Sequence, residues 1–179
     1  MARGKSLFQD FFDRPTLEVA PDLLGKFLCR EVDGSILRLR ITEVEAYDGP
    51  EDKACHAHRG KTPRNEIMFG PAGRWYVYLC YGMHWMLNAV TGPVDFPAAV
   101  LFRGCLEVTG PGRLTKALGI DRNQDQAVVA RASGLWVEDD GFVVPGDEIE
   151  RLPRVGIGYA GEEWVNKPYR FVWETKRNS

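Results

Sequence analysis

Apolar and polar residues alternate with a period of two along most of the chain beyond residue 26, the signature of strands with one buried face. Phe27–Val32 and Ile36–Tyr47 flank Asp33-Gly34, a pair suited to the tight turn of a hairpin. Trp75–Cys80 and Trp85–Thr91 read as a second hairpin around Gly82, followed by a strand over Ala98–Val108. Leu135–Val144 predicts a further pair turning at Asp139-Asp140-Gly141, and Glu148–Ile157 and Arg170–Trp173 predict two more strands. Helical spacing is confined to short stretches. Phe8, Phe11 and Phe12 predict one small amphipathic helix, Leu17–Leu24 a second that Gly25 stops, and Thr109-Gly110-Pro111 a third that ends at Gly119. The expected fold is therefore α+β: a single domain, residues 1–179, built on a curved, mostly antiparallel sheet with peripheral helices.

Composition agrees with one domain, since 179 residues at 44% hydrophobic content suffice for one sizeable core, and neither a repeat nor a low-complexity tract divides the chain. The net charge of -2 sets up no global positive field, so any nucleic-acid surface must concentrate its basic residues on one face. The basic start Met1-Ala-Arg-Gly-Lys-Ser is followed by no apolar run, which predicts no secretion signal and no membrane span, and a cytoplasmic protein. Cys29, Cys55, Cys80 and Cys105 are too dispersed for a zinc knuckle or a disulfide framework. His56-Ala57-His58 lacks further ligands at recognisable spacing, so neither metal nor cofactor is expected. With no heptad and no long apolar stripe, a monomer is expected.

Candidate chemistry sits at the end of the second strand. Strict alternation from Ile36 to Tyr47 places Leu37, Leu39, Ile41, Glu43, Glu45 and Tyr47 on one face, so three aliphatic residues run into two carboxylates. A carboxylate at the margin of a desolvated face is pushed toward a raised pKa, as a general base near neutral pH requires. Two of them at i and i+2 lie roughly 6.6 Å apart along a strand, inside the range of about 6.5 to 9.5 Å that accommodates a water in inverting glycoside hydrolysis. Pairing with arginine accounts equally well for such glutamates, and for Glu43 better. Downstream, Tyr47, His56, Trp75, Tyr76, Tyr78, Tyr81, His84 and Trp85 interleave with Arg59, Lys61, Arg64 and Arg74, a mixture suited to stacking on bases beside a phosphate backbone. Strand-face core explains Tyr76 or Tyr78 taken singly.

The run Glu45-Ala46-Tyr47-Asp48-Gly49-Pro50-Glu51-Asp52, His56, Thr62-Pro63-Arg64-Asn65, Tyr76-Val77-Tyr78, Tyr81-Gly82-Met83 and Asn88 resembles the alkyladenine (3-methyladenine) DNA glycosylase family. The resemblance continues through Val100-Leu101-Phe102-Arg103, Gly110-Pro111, Arg154-Val155-Gly156 and Lys167-Pro168-Tyr169-Arg170-Phe171. It implies a monofunctional glycosylase in base excision repair. Such an enzyme acts on double-stranded DNA containing damaged purines (3-methyladenine, 7-methylguanine, hypoxanthine or etheno-adenine), flips the nucleotide and hydrolyses its bond to deoxyribose without nicking the strand.

By the same resemblance Glu45 is the general base, acting on a water held also by Arg103 and the main-chain carbonyl of Val155. Tyr47, His56 and Tyr78 enclose the flipped base, with His56 placed to donate a proton or hydrogen bond to it, and Asn88 excludes the exocyclic amine of guanine. Tyr81 fills the vacated stack, while Thr62, Arg64, Met83 and His84 contact DNA. The stretch from His56 to Thr62 is a residue shorter than in some relatives, and His58 is unusual there. The Gly110-Pro111-Gly112-Arg113 turn could present helix-start amides to a phosphate or serve only as a cap. Two rivals remain: a non-catalytic nucleic-acid-binding β domain, and a metal-dependent hydrolase using His56, His58 and Glu45.

Overall fold

The computed structural model describes residues 4–175, so that Met1–Arg3 of the basic start lie outside the described residues. The long strand β3 is the spine of the fold. After β1 (Lys5–Ser6), α1 (Gln9–Phe12), α2 (Thr16–Leu23) and β2 (Phe27–Val32), the chain turns through Asp33 and Gly34 into β3 (Ser35–Asp48). Both turn residues have positive φ, 50° and 77°, the type I′ geometry that matches strand twist. β4 (Trp75–Cys80), β5 (His84–Val90) and β6 (Ala98–Cys105) form a meander; α3 (Pro111–Ala117), β7 (Leu135–Asp139), β8 (Ile149–Leu152), α4 (Glu162–Val165) and β9 (Arg170–Trp173) complete the chain.

All ladders between these strands are antiparallel, in the order β1-β7-β2-β3-β6-β5-β4, with β9 on β3 and β8 on β9. The α+β architecture expected from the period-two pattern is therefore what the chain adopts. Three boundaries differ. The expected hairpin over Leu135–Val144 contains only β7, because both edges of β7 are taken by β1 and β2 and the carboxylates of Asp139 and Asp140 accept the amides of Gly141 and Phe142, turning the chain away. Likewise β6 stops at Cys105, where a tight turn closes between Cys105 and Val108. Proline explains the third difference, since Pro153 lacks an amide to extend β8 toward Ile157.

A further correction concerns the faces of β3. Between β3 and β6 the register slips twice, between Ile41 and Glu43 and again between Glu43 and Val44, each strand carrying one extra residue. Ile41 and Val44 consequently both enter the main core, as do their partners Cys105 and Phe102. Leu39 and Ile41 thus do not share a face with Glu43, Glu45 and Tyr47, as uninterrupted alternation predicts. The paired bulge lets β3 continue while its odd-numbered residues change sides, and bulges characteristically re-aim side chains next to active sites.

Beyond the bulge the alternation is regular, and it gives this half of the sheet two functions. Trp75 and Val77, Leu87 and Ala89, Val100 and Phe102, Val44 and Ala46 face the main core with α2 and α3. The intervening residues face the other way, where Tyr76, Val90 and Ala99 build a smaller cluster with Cys55, Ala57 and Met68 from the irregular segment between β3 and β4, and with Tyr47 and Tyr78 at its edge.

Candidate active site

That second face is a concave surface, and a cavity of about 460 Å³ opens on it, lined from β3, β4, β5 and β6, the segment around His56 and the turn after β8. Its size is that of a small-molecule site.

Glu45 lies at the floor with no exposed surface. Its Oε1 accepts the amide N–H of Val155 at 2.7 Å, and its Oε2 accepts the hydroxyl of Tyr47 at 2.9 Å. The guanidinium of Arg103 stands 3.5 Å from Oε1. Burial pushes the Glu45 carboxyl up, against the opposing pull of Arg103, the Val155 amide and the Tyr47 hydroxyl. The group is thus desolvated, oriented and still basic.

Glu43 has a different role. Its Oε1 accepts from Arg103 Nε at 2.8 Å and from Arg170 at 3.1 Å, so it is an arginine-paired carboxylate that fixes the Arg103 plane beside Glu45. Arg103 therefore bridges the two glutamates.

The walls are aromatic. Tyr47 keeps its proton, since burial and the adjacent Glu45 raise its phenol well above the usual value. Its ring lies over the guanidinium of Arg154, 4.8 Å from the ring centre. His56 stacks edge-on to Tyr78 at 4.6 Å, and its Nδ1 is 3.0 Å from the Tyr76 hydroxyl. The imidazole presents one side to the open cavity, yet burial by its neighbours and the nearby Arg64 hold it down to about 4. That shift favours the uncharged, hydrogen-bonding form of the His56 ring near neutral pH. Asn88 is buried, its amide donating to the Tyr76 carbonyl at 3.1 Å. These residues, with Arg64 and Val155, line one cavity.

The residues expected to contact DNA are more dispersed. Tyr81 has φ 50°, uncommon for a non-glycine residue, at the tip of the β4–β5 hairpin. It is 88% exposed and Met83 beside it 71% exposed, so two large apolar side chains project from one edge of the cavity. The His84 ring packs on Gly112 of α3; a Cβ there would meet it at 2.9 Å. Gly112 thereby lets helix and hairpin tip meet. Thr62 caps a turn with Asn65, while Arg64 does not extend freely but lies over the Tyr78 ring, 5.0 Å from its centre.

Three features escaped residue-level reading. The first is the pair Asp52–Arg154, both side chains wholly buried: the guanidinium grips both carboxylate oxygens and the Ala46 carbonyl, while Asp52 accepts the amides of Asp48 and Ala54. It ties the turn after β3 to the segment that presents the Val155 amide. Buried Asn65, donating to the carbonyls of His56 and Gly60, fixes the path of the 57–62 loop. Tyr159, whose hydroxyl donates to the Ala54 carbonyl, closes one rim. Asp52, Asn65 and Arg154 stand within recognisable runs, but their partners are set by the fold. His58 turns its Nδ1 to the Pro50 carbonyl at 2.8 Å, and no group of three or more potential metal ligands exists among the described residues. All four cysteines are free thiols, and no helix among the described residues is long and apolar enough to cross a membrane.

Comparison with known proteins supplies the context for this geometry. Curated proteins named "Putative 3-methyladenine DNA glycosylase" are similar to the chain over most of their length. That of Psychrobacter cryohalolentis is 45% identical across 91% of this chain and 89% of the relative. The one from Anaeromyxobacter dehalogenans is 48% identical across 92% and 80%, and that of Methanocella arvoryzae 44% identical across 91% and 90%. Residues 10–109 and 106–177 match the methylpurine-DNA glycosylase family, and the chain belongs to that family.

Proposed function

We propose that this protein is a monofunctional glycosylase that takes a damaged purine nucleotide out of duplex DNA and hydrolyses its N-glycosidic bond with a water activated by Glu45. The observation that carries the reading is the Glu45 carboxylate: fully buried, raised by desolvation, and held at the floor of an aromatic cavity by Val155, Tyr47 and Arg103.

The chemistry follows from that placement. Glu45 removes a proton from water, the water oxygen bonds to the anomeric carbon, and the glycosidic electron pair leaves with the purine. Arg103 and the Val155 carbonyl hold the water. The Val155 amide, already committed to Glu45, aims the carboxylate. An alkylated purine leaves as a neutral base, whereas a neutral lesion needs a hydrogen bond on its purine edge, which His56 supplies uncharged. Tyr47 and Tyr78 enclose the base and Asn88 screens against guanine. No lysine is among the described residues lining the cavity, which supports water rather than an enzyme amine as nucleophile.

Flipping costs a few kcal/mol and is cheapest for damaged or mispaired bases. The Tyr81-Gly82-Met83 tip offsets part of that cost by entering the gap, and Thr62 and His84 contact the flanking backbone. The whole chain acts as one glycosylase domain, as a monomer on double-stranded DNA.

Single-turnover excision from labelled duplexes containing one hypoxanthine or one 3-methyladenine, with alkali to reveal abasic sites, tests the reading. Glu45→Gln should bind the lesion duplex and lose roughly 100- to 10,000-fold in excision rate. Full activity in that variant would remove Glu45 from the mechanism; binding without excision by the wild type would leave a nucleic-acid-binding domain.

A further inference from the structure

We infer that Arg170 is a positioning residue for the reaction, a two-ended tie that keeps both partners of Glu45 Oε1 in place. The inference rests on the glycosylase reading and deepens it by naming the side chain that aligns the base.

Glu45 Oε1 meets the Val155 amide at 2.7 Å and the Arg103 guanidinium at 3.5 Å. Arg170 reaches the support of each. At one end its Nη1 donates at 3.1 Å to Glu43 Oε1, the same oxygen that accepts Arg103 Nε at 2.8 Å. At the other end its Nε donates at 3.0 Å to the carbonyl of Pro153, just upstream of Val155. The sheet explains why this residue can do both. Arg170 stands opposite Glu45 on β3 and, on its other side, opposite Leu152 at the end of β8. Its side chain therefore holds the chain at Pro153, one residue beyond the point where the ladder between β8 and β9 gives out. A planar guanidinium presents Nε and Nη1 in a fixed relation, so it sets the spacing between the Glu43 carboxylate and the Pro153 carbonyl; a point-like ammonium does not.

The charges around Glu45 give the tie a direction. Beside the carboxyl stand Glu43 and Tyr47 of β3, Arg103 of β6, Arg154 from the turn after β8 and Arg170 of β9. Across the cavity stand His56 and Arg64 from the segment before β4, Tyr76 and Tyr78 of β4, and Tyr159 at the rim. Glu43 is shared between Arg103 and Arg170. Without Arg170 its charge falls to Arg103 alone, which is drawn off Glu45, and the turn carrying the Val155 amide loses an anchor. Both changes, together with the loss of a positive charge, disfavour the ionised carboxylate, so the base would ionise only at higher pH. Neutralising Glu43, the other member of the same ion pair, works in the opposite sense because it releases Arg103 to Glu45. A role in packing alone produces no such opposition.

The test follows single-turnover excision of hypoxanthine from a labelled duplex, with enzyme saturating, from acid to neutral pH for wild type, Arg170→Met and Arg170→Lys. Urea unfolding gives the folded fraction of each variant, to which the rates are normalised. Arg170→Met should move the acid limb to higher pH by about half to one unit, the worth of one partly solvated charged contact, and lower the plateau rate roughly 10- to 100-fold through misalignment. Arg170→Lys keeps the charge without the two-ended grip, so its limb should stay within about 0.3 unit of wild type while its plateau still falls roughly tenfold. An unmoved limb in Arg170→Met, or a wild-type plateau in Arg170→Lys, would overturn the inference and leave Arg170 with a structural role; should Arg170→Met fail to fold, the Arg170→Lys plateau decides. A wild type that binds the duplex and excises nothing, or a Glu45→Gln variant with full activity, would instead overturn the glycosylase reading or its base, and this inference with it.

Discussion

Asp52 and Glu45 are both carboxylates with no exposed surface, seven residues apart in sequence, and they are treated in opposite ways. Asp52 receives two backbone amides and a two-pronged guanidinium. Glu45 receives one amide, one phenol and an arginine at 3.5 Å whose shorter contact, at 2.8 Å, goes to Glu43. A buried charge that is fully matched becomes structure, because removing either partner leaves the other stranded. One that is under-supplied keeps its basicity and can do chemistry.

The contrast can be broken most strongly on the structural side. Arg154→Met should destabilise the protein by about 3–5 kcal/mol by stranding Asp52; urea unfolding measures it, and replacing Asp52 as well should recover part of the loss. On the reactive side, Tyr47→Phe removes a donor from Glu45, so the carboxyl must rise further. If Glu45 is the proposed base and works ionised, the acid limb of the single-turnover pH profile should move to higher pH, with the rate at mildly acidic pH falling roughly tenfold, the worth of one hydrogen bond to a charged group. Glu43→Gln should act in the opposite sense. It frees Arg103 to close on Glu45, lowers that carboxyl and moves the same limb to lower pH, while costing only about 1 kcal/mol of stability because the pair is partly solvated. If both variants shift the limb the same way, Glu43 and Tyr47 are not opposing influences on one base.

Much of this contrast was open to sequence reasoning, and part of it was not. Period-two alternation in β4 and β5 identified Tyr76, Tyr78 and Asn88 as strand residues, and Asp33-Gly34 announced its turn, because both signals are local. Glu45 and Tyr47 were legible through a resemblance that spans the chain. The side of β3 on which they stand was not, since alternation counts residues and cannot register an extra one. Nor was the Asp52–Arg154 pair, whose members stand 102 residues apart and are brought together only by the closing of β9 on β3. Arg64 shows the same limit: a loop cation suits a phosphate contact, and only packing places it on a ring.

The paired bulge also dictates what can be cut from or added to this sheet. Because β3 and β6 each carry one extra residue at the same level, deleting Thr42 alone would leave the extra residue of β6 as a lone bulge between the pairs Glu43–Gly104 and Val44–Phe102. Deleting Thr42 together with Gly104 would restore an ordinary ladder in which Ile41 and Val44 still point inward and Glu43, Glu45 and Arg103 still point outward. Length changes at this level of the sheet are thus coupled: a residue lost from one strand leaves a lone bulge in the other unless it is matched there, and matching it keeps a shared length as well as a shared face.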